Sequence, residues 1–242
     1  MDFTLNKYRE LLEALDDCDQ VILRHDVDKK PKNSLTTAYI EREMGWTAIY
    51  YFRMVPESFD PAVILQIASL GHEIGYHYES MTTCRGDIEA AYQDFCGNLE
   101  KLRALVPVNS IAMHGSPRSK WDSRELWNHY DYHKLGIDTE PYLDTDFSQM
   151  VYLTDTGRRW DGYNVSVRDK IPKYQEIWKQ RGWTYRSTDD IIQAIRERTF
   201  PERVMVNTHP QRWTDNSWQW LCELVLQSLK NGIKKAIIKK NA

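Results

Sequence analysis

Apolar and polar positions along this chain follow two periods in turn. Leu5, Tyr8, Leu11, Leu12 and Leu15 recur at helical spacing and predict a helix over 5–16. A continuous apolar run, Val21-Ile22-Leu23, then leads straight into Arg24-His25-Asp26-Val27-Asp28. Such a run reads as a buried strand, here 21–25, of the kind found in parallel sheets. Pro31 implies a loop, Ser34 a cap, and 34–44 a helix closed by Gly45. Residues 46–52 are rich in β-formers and predict the second strand. Asp60-Pro61 opens a helix that Gly71 stops, and 72–77 is the third strand. Ile88, Ala91, Tyr92, Phe95, Leu99, Leu102 and Leu105 mark the clearest helix, over 87–105.

Further strands are expected at 110–113, 135–139, 150–154 and 203–207, with helices near 122–129, at 189–198 capped by Thr188, and at 216–230 before a short basic tail. Periodicity is poor from 141 to 187, which reads mostly as loops. Strands alternating with helices imply a parallel sheet with helices outside. About seven such strands suggest a distorted or incomplete (β/α) barrel, formed by residues 1–242 as one domain.

Net charge is -3 with no basic block, which argues against a nucleic-acid-binding module. Cys18, Cys84, Cys96 and Cys222 are scattered without a CxxC, so four free thiols are expected in a reducing compartment. The first residues do not read as a signal peptide, and no apolar run reaches membrane-spanning length. A cytoplasmic address without membrane insertion is the expectation. The oligomeric state has no signal in the sequence.

The chemistry stands at the predicted strand exits. His25, Asp26 and Asp28 follow the first strand, His77 and Glu79 the third, His114 the fourth, Asp155 a later one and His209 the last. Four of the seven histidines thus fall at one rim, where α/β folds carry their sites. Asp26 and Asp28 are two apart, so in extended backbone they face the same side and repel unless a cation or proton separates them. Histidine plus carboxylate without cysteine suits zinc or another divalent metal with open positions. Hydrolysis then needs a base and an acid. Either aspartate can be the base with the other as ligand, and His209 can serve as acid. His25, Glu79 and the loop Asp155, Arg158, Arg159 and Trp160 are expected to face substrate. Two adjacent arginines suit a carboxylate or phosphate.

Arg24-His25-Asp26-Val27-Asp28, Gly71-His72-Glu73-Ile74-Gly75-Tyr76-His77 and the late His209 together resemble the NodB-homology polysaccharide deacetylases, over roughly residues 20–212. The resemblance implies metal-dependent removal of acetyl groups on a distorted, incomplete barrel. It implies Asp26 as catalytic base, Asp28 as metal ligand and His209 as general acid. The family's second motif supplies two ligand histidines four apart. His77 matches the first, but Met81 stands at the second, and a thioether is a poor ligand for such an ion. His114 is the first substitute, with Glu79 and His72 in reserve.

The implied substrate is an acetylated amino sugar or glycan precursor, as in O-antigen or capsule assembly, with zinc as the expected metal. Two other readings compete. One is a metal-dependent amidase acting on a non-sugar C–N bond. The other is a degenerate carbohydrate-binding protein, which the absent second histidine favours.

Overall fold

The computed structural model describes residues 1–116, 119–166 and 168–240, the last eight of these by backbone alone. Six strands run parallel in one sheet: β1 (Gln20–Val27), β2 (Ile49–Phe52), β3 (Glu73–Tyr78), β4 (Ile111–Met113), β5 (Val151–Thr154) and β6 (Arg203–Thr208). Their order across the sheet is β4-β3-β2-β1-β6-β5, so β4 and β5 are the edge strands and the sheet curls into a half-barrel. The helices lie around it: α1 (Leu5–Leu15), α2 (Pro31–Glu43), α3 (Pro61–Ser69), α4 (Ser80–Thr83), α5 (Ile88–Arg103), α6 (Pro141–Asp144), α7 (Pro172–Gln180), α8 (Thr188–Arg196) and α9 (Ser217–Lys240).

Side chains alternate across each strand, and this decides which residues can meet. On β1, Leu23, His25 and Val27 point outward to the helices, while Arg24 and Asp26 point into the half-barrel. His25 stacks near Tyr50 (ring centroids 4.3 Å apart) and its Nε2 lies 2.7 Å from Glu41 Oε1 of α2. Its Nδ1 is 2.7 Å from Thr208 Oγ1. On β3, Gly75 and His77 face inward and Tyr76 and Tyr78 pack outward on Phe95 of α5. Register does the rest: Asp26 is level with Tyr51 of β2, and Arg24 with Asn207 of β6.

The sheet is one strand shorter than the periodicity predicts. The 3-10 turn Tyr132–Leu135, capped by the Asp131 carboxylate, runs into the start of 135–139, and the chain leaves it at Gly136 with φ +68°. What remains of the strand is a single parallel bridge between Ser110 and Thr139. Pro31 opens α2 rather than preceding it, because a first-turn proline lacks only a donor that the helix would not use. Ser187, not Thr188, caps α8, in a reciprocal pairing with Asp190. Helix α7 breaks the stretch read as loops; it buries only Trp178, so its periodicity is faint. Helix α9 runs on through the basic tail to Lys240.

The four cysteines are free. No helix among the described residues is long and apolar enough to cross a membrane.

Candidate metal centre

The inward residues converge at the carboxyl ends of the strands. Asp28 follows β1, His77 lies near the end of β3, and His114 follows β4, its backbone N–H donating to Tyr78 O. One donor atom from each of these three lies within 4.8 Å of the other two. Asp28 Oδ1 is 3.7 Å from His77 Nε2 and 3.4 Å from His114 Nε2. Tetrahedral zinc with ligands at about 2.0–2.1 Å sets its donors roughly 3.4 Å apart, so the spacing suits a shared cation. Asp28 Oδ1 is moreover buried without a hydrogen-bond partner. An orphaned anionic oxygen between two imidazoles is the arrangement that a bound cation satisfies.

Both imidazoles are held from behind. His77 Nδ1 donates to the Ala112 carbonyl at 2.9 Å, which leaves the Nε2 lone pair facing the centre. Burial lowers the His77 pKa to about 4, against the upward pull of Asp26, so the ring is a neutral donor near pH 7. His114 Nδ1 lies 2.9 Å from Glu79 Oε2, and Arg53 donates to Glu79 Oε1 at 2.7 and 3.0 Å. Burial alone would raise the Glu79 pKa. The His114 hydrogen bond and Arg53 prevail and bring it to about 2. Arg53 also donates to the Asp28 carbonyl, tying the backbone of one candidate ligand to the support of another. Burial likewise opposes the charge of Asp28, but His114, His209 and His77 hold its pKa below the ordinary value.

Two further groups stand at the same mouth, each fixed by its own partner. Asp26 accepts from Arg24 Nη2 at 2.7 Å and Asn207 Nδ2 at 2.9 Å, and its Oδ2 is 3.9 Å from His77 Nε2. Burial pushes its pKa up, but Arg24, then His77 and His209, hold it well below the usual carboxylate range. His209 Nδ1 donates to Asp155 Oδ1 at 2.6 Å, and its Nε2 lies 3.9 Å from Asp28 Oδ2. Asp155 also accepts from Arg212 and from Trp213 Nε1. Burial and the Arg212 cation lower the His209 pKa, yet the Asp155 and Asp28 carboxylates leave it raised.

The residues singled out in the sequence thus separate. Asp26, Asp28, His77, His114 and His209 come together. Glu79 and Asp155 stand behind two of the imidazoles rather than against open space. His25 is turned to the opposite face of β1, because one residue along a strand reverses the side. His72 is bound to Ala48 N–H and the Ala38 carbonyl on that outer face, so it is no reserve ligand. Trp160 is buried, with Nε1 donating to Thr188 Oγ1 at 2.9 Å. Arg158 and Arg159 both border a separate cleft, and Arg159 is paired there with Asp161. Met81 is buried in the hydrophobic core. Pro117, which the sequence predicts in an exit turn after the fourth strand, lies outside the described residues.

Several residues at the centre carried no assigned role in the sequence. Arg24 and Asn207 had a readable signal, since each precedes a site residue by two and so shares its face. Arg53, Gln211 (Nε2 to Asp28 Oδ2, 3.3 Å) and Arg212 had none.

A curled half-barrel of parallel strands with a histidine–aspartate cluster at its mouth is therefore the class that fold and site define. None of the protein-family models matches the chain. No curated protein matches it either. Among solved structures, the chain is similar to Bacillus subtilis PdaA, described as a family 4 carbohydrate esterase, with a TM-score of 0.45 and 12% identity over 97% of this chain and 90% of that one. A family 4 carbohydrate esterase from Bacillus anthracis gives a TM-score of 0.42 and 10% identity over 93% and 85%. The Xyl-CE4 domain of a xylanase from the hindgut metagenome of Trinervitermes trinervoides gives 0.39 and 9% over 88% and 84%.

Proposed function

We propose that this protein is a metal-dependent deacetylase that hydrolyses an acetyl group from an amino sugar or glycan precursor. The observation that carries this reading is the convergence of Asp28, His77 and His114 beside two separately tethered groups, Asp26 on Arg24 and His209 on Asp155. It is a hydrolytic layout: a cation site, a base and an acid at one mouth.

Asp28, His77 and His114 would hold the divalent ion, with His114 in place of the histidine absent at Met81. Zinc is the first expectation for a donor set of two imidazoles and one carboxylate. Such an ion polarises a carbonyl oxygen and lowers the pKa of water. Asp26, kept ionised by Arg24, takes the proton from the attacking water. The C–O bond forms and the C–N bond breaks. His209, with Nδ1–H fixed on Asp155, gives the Nε2 proton to the departing amine. For an O-acetyl group the leaving oxygen takes that proton instead. A precursor of surface polysaccharide, such as an O-antigen or capsule intermediate, is the substrate we infer from the motif resemblance.

The test combines metal analysis with acetate release. Purified protein should retain about one zinc or other divalent ion per chain, and Asp28→Ala should lose it. Acetylated hexosamines and their oligomers should yield free acetate, and Asp26→Asn should reduce the rate by about 10²–10⁴-fold with the metal retained. Stoichiometric metal with no acetate from any acetylated sugar, but with turnover of simple amides, would move the assignment to an amidase. A chain that binds no divalent ion overturns the reading.

A further inference from the structure

The loop after β5 continues past Asp155 to Arg158. Arg158 N–H donates to the Asp155 carbonyl at 2.9 Å, and Arg158 takes a left-handed φ of +55°. A non-glycine residue in that region is held there by its surroundings. Here the surroundings are two rings. The Arg158 guanidinium lies 4.9 Å from the centroid of Phe3 and 4.8 Å from that of Trp220 on α9. Its Nε and Nη1 are buried with no hydrogen-bond partner, and no carboxylate pairs with it among the described residues. Arginine rarely leaves its donor fork unused, because the fork matches carboxylate and phosphate oxygens.

The side chain borders a cleft of about 340 Å³. Arg186 lines the same cleft, again without a carboxylate partner among the described residues. The neighbouring acids are already engaged: Asp2 with Phe3 N–H and Thr188, Asp161 with Arg159, Glu223 with Lys29. Gln227 and Asn231 of α9 also line the wall, their amides already engaged: Gln227 Nε2 donates to Asn231 Oδ1 at 2.8 Å and Asn231 Nδ2 to the Gly157 carbonyl at 2.9 Å. The cleft therefore offers two cations that form no salt bridge among the described residues, one of them half-buried and stacked on two rings, with Glu223, Asp155 and Asp2 acting on Arg158 and Arg186 acting on Asp190 only through space. Its volume lies within the small-ligand range and exceeds the needs of a bare halide.

We propose that this cleft binds a phosphate-class anion, the phosphate or diphosphate of a phosphorylated sugar. The inference deepens the deacetylase reading and rests on it for the sugar, though not for the anion. Asp155 fixes His209 while Arg158 stands three residues on, so one loop joins the cleft to the proposed acid. An anchored diphosphate would make the substrate an activated or carrier-linked sugar rather than a finished polymer.

The test uses the full chain stripped of metal, so that a chelating anion cannot bind at the other centre. Inorganic pyrophosphate is titrated at physiological salt, followed by calorimetry and by tryptophan fluorescence, since Trp220 lies on the reporting guanidinium. Saturable binding is expected, weakened about 10–100-fold in Arg158→Gln and in Arg186→Gln. Arg159→Gln, which removes a cation already paired with Asp161, should weaken it less. No saturation at millimolar pyrophosphate, or equal affinity in wild type, Arg158→Gln and Arg186→Gln, overturns the proposal. Should Arg158→Gln fail to fold, Arg186→Gln carries the comparison. A nucleoside diphosphate binding more tightly than pyrophosphate points to a nucleotide-linked sugar, and equal affinity to another diphosphate carrier. The two readings fail separately. Acetate release without pyrophosphate binding removes the cleft and leaves the deacetylase, and the reverse result does the opposite.

Discussion

Glu79 illustrates how a residue two positions from a candidate ligand can serve a different one. It follows His77 in sequence, yet its carboxylate supports His114 and is itself clamped by Arg53. Such partners fix ring orientation and raise donor strength. Glu79→Ala should therefore weaken zinc binding by about 10–100-fold, measured by competition with a chromophoric chelator. An unchanged affinity would mean that His114 needs no support or is not a ligand. Asp155 has two tasks. It orients His209, and it neutralises the buried cation of Arg212. Asp155→Asn is expected to cut acetate release by about 10²–10⁴-fold at a temperature where the variant is folded. It should also lower stability by roughly 3–5 kcal/mol, because Arg212 is left unpaired. A variant with native Tm and native turnover contradicts both roles.

At the scale of the element, the period of the strand decides almost everything. Arg24, Asp26 and the following Asp28 were adjacent in the sequence to His25, and adjacency suggested a common site. The pleat sends His25 instead to Glu41 and Thr208 on the outer face. Gly75 shows the opposite face of the same rule. It points inward beside the fully buried Tyr51, and a Cβ there would come within 2.3 Å of Tyr51 Cδ1. Only a missing side chain leaves room for the Tyr51 ring at this level. Gly75→Ala should cost about 1–3 kcal/mol, as overpacking does. In a chain of this size, that is a Tm drop of roughly 2–4 °C for each kcal/mol, readable by calorimetry. A neutral substitution would show that Tyr51 can move without penalty. Elements with strong periodicity, such as α1 and α5, were legible to within about two residues. The lost seventh strand and the unseen α7 were not, because a single Gly136 turn and one buried Trp178 leave little pattern to read.

For the whole molecule, stability should depend on pH through Glu140. This buried residue opens α6 and bonds it to β4: one oxygen accepts from Met113 N–H at 3.0 Å, the other from Tyr142 N–H at 2.7 Å and Leu143 N–H at 3.1 Å. Burial raises its pKa from 4.5 to about 7, against those N–H groups and Arg24. Between these values the folded chain keeps a proton that the unfolded chain has lost. Stability from this group therefore falls as pH rises from about 4.5, and the loss is complete above about 7, at roughly 3 kcal/mol. Glu79 and Asp155 act in the other direction and lower on the scale. Their stabilisation is present above about pH 4 and is lost as pH falls towards 2. Urea unfolding from pH 4.5 to 8 should show the first slope, and Glu140→Gln, whose penalty does not titrate, should flatten it. Parallel profiles for the two proteins would exclude Glu140 as the cause.

The sequence by itself determined the kinds of element, their alternation, and the placing of histidines and aspartates at strand ends. These are local matters, settled by periodicity, caps and turns among near neighbours. Only the tertiary structure decided which of those residues meet. The order β4-β3-β2-β1-β6-β5 and the curl of the sheet bring His114 and His209 to Asp28, send His25 away, and set Arg53, Arg212 and Glu79 behind the centre. Distances between residues remote in the chain depend on strand order and register, and no short stretch of sequence encodes them.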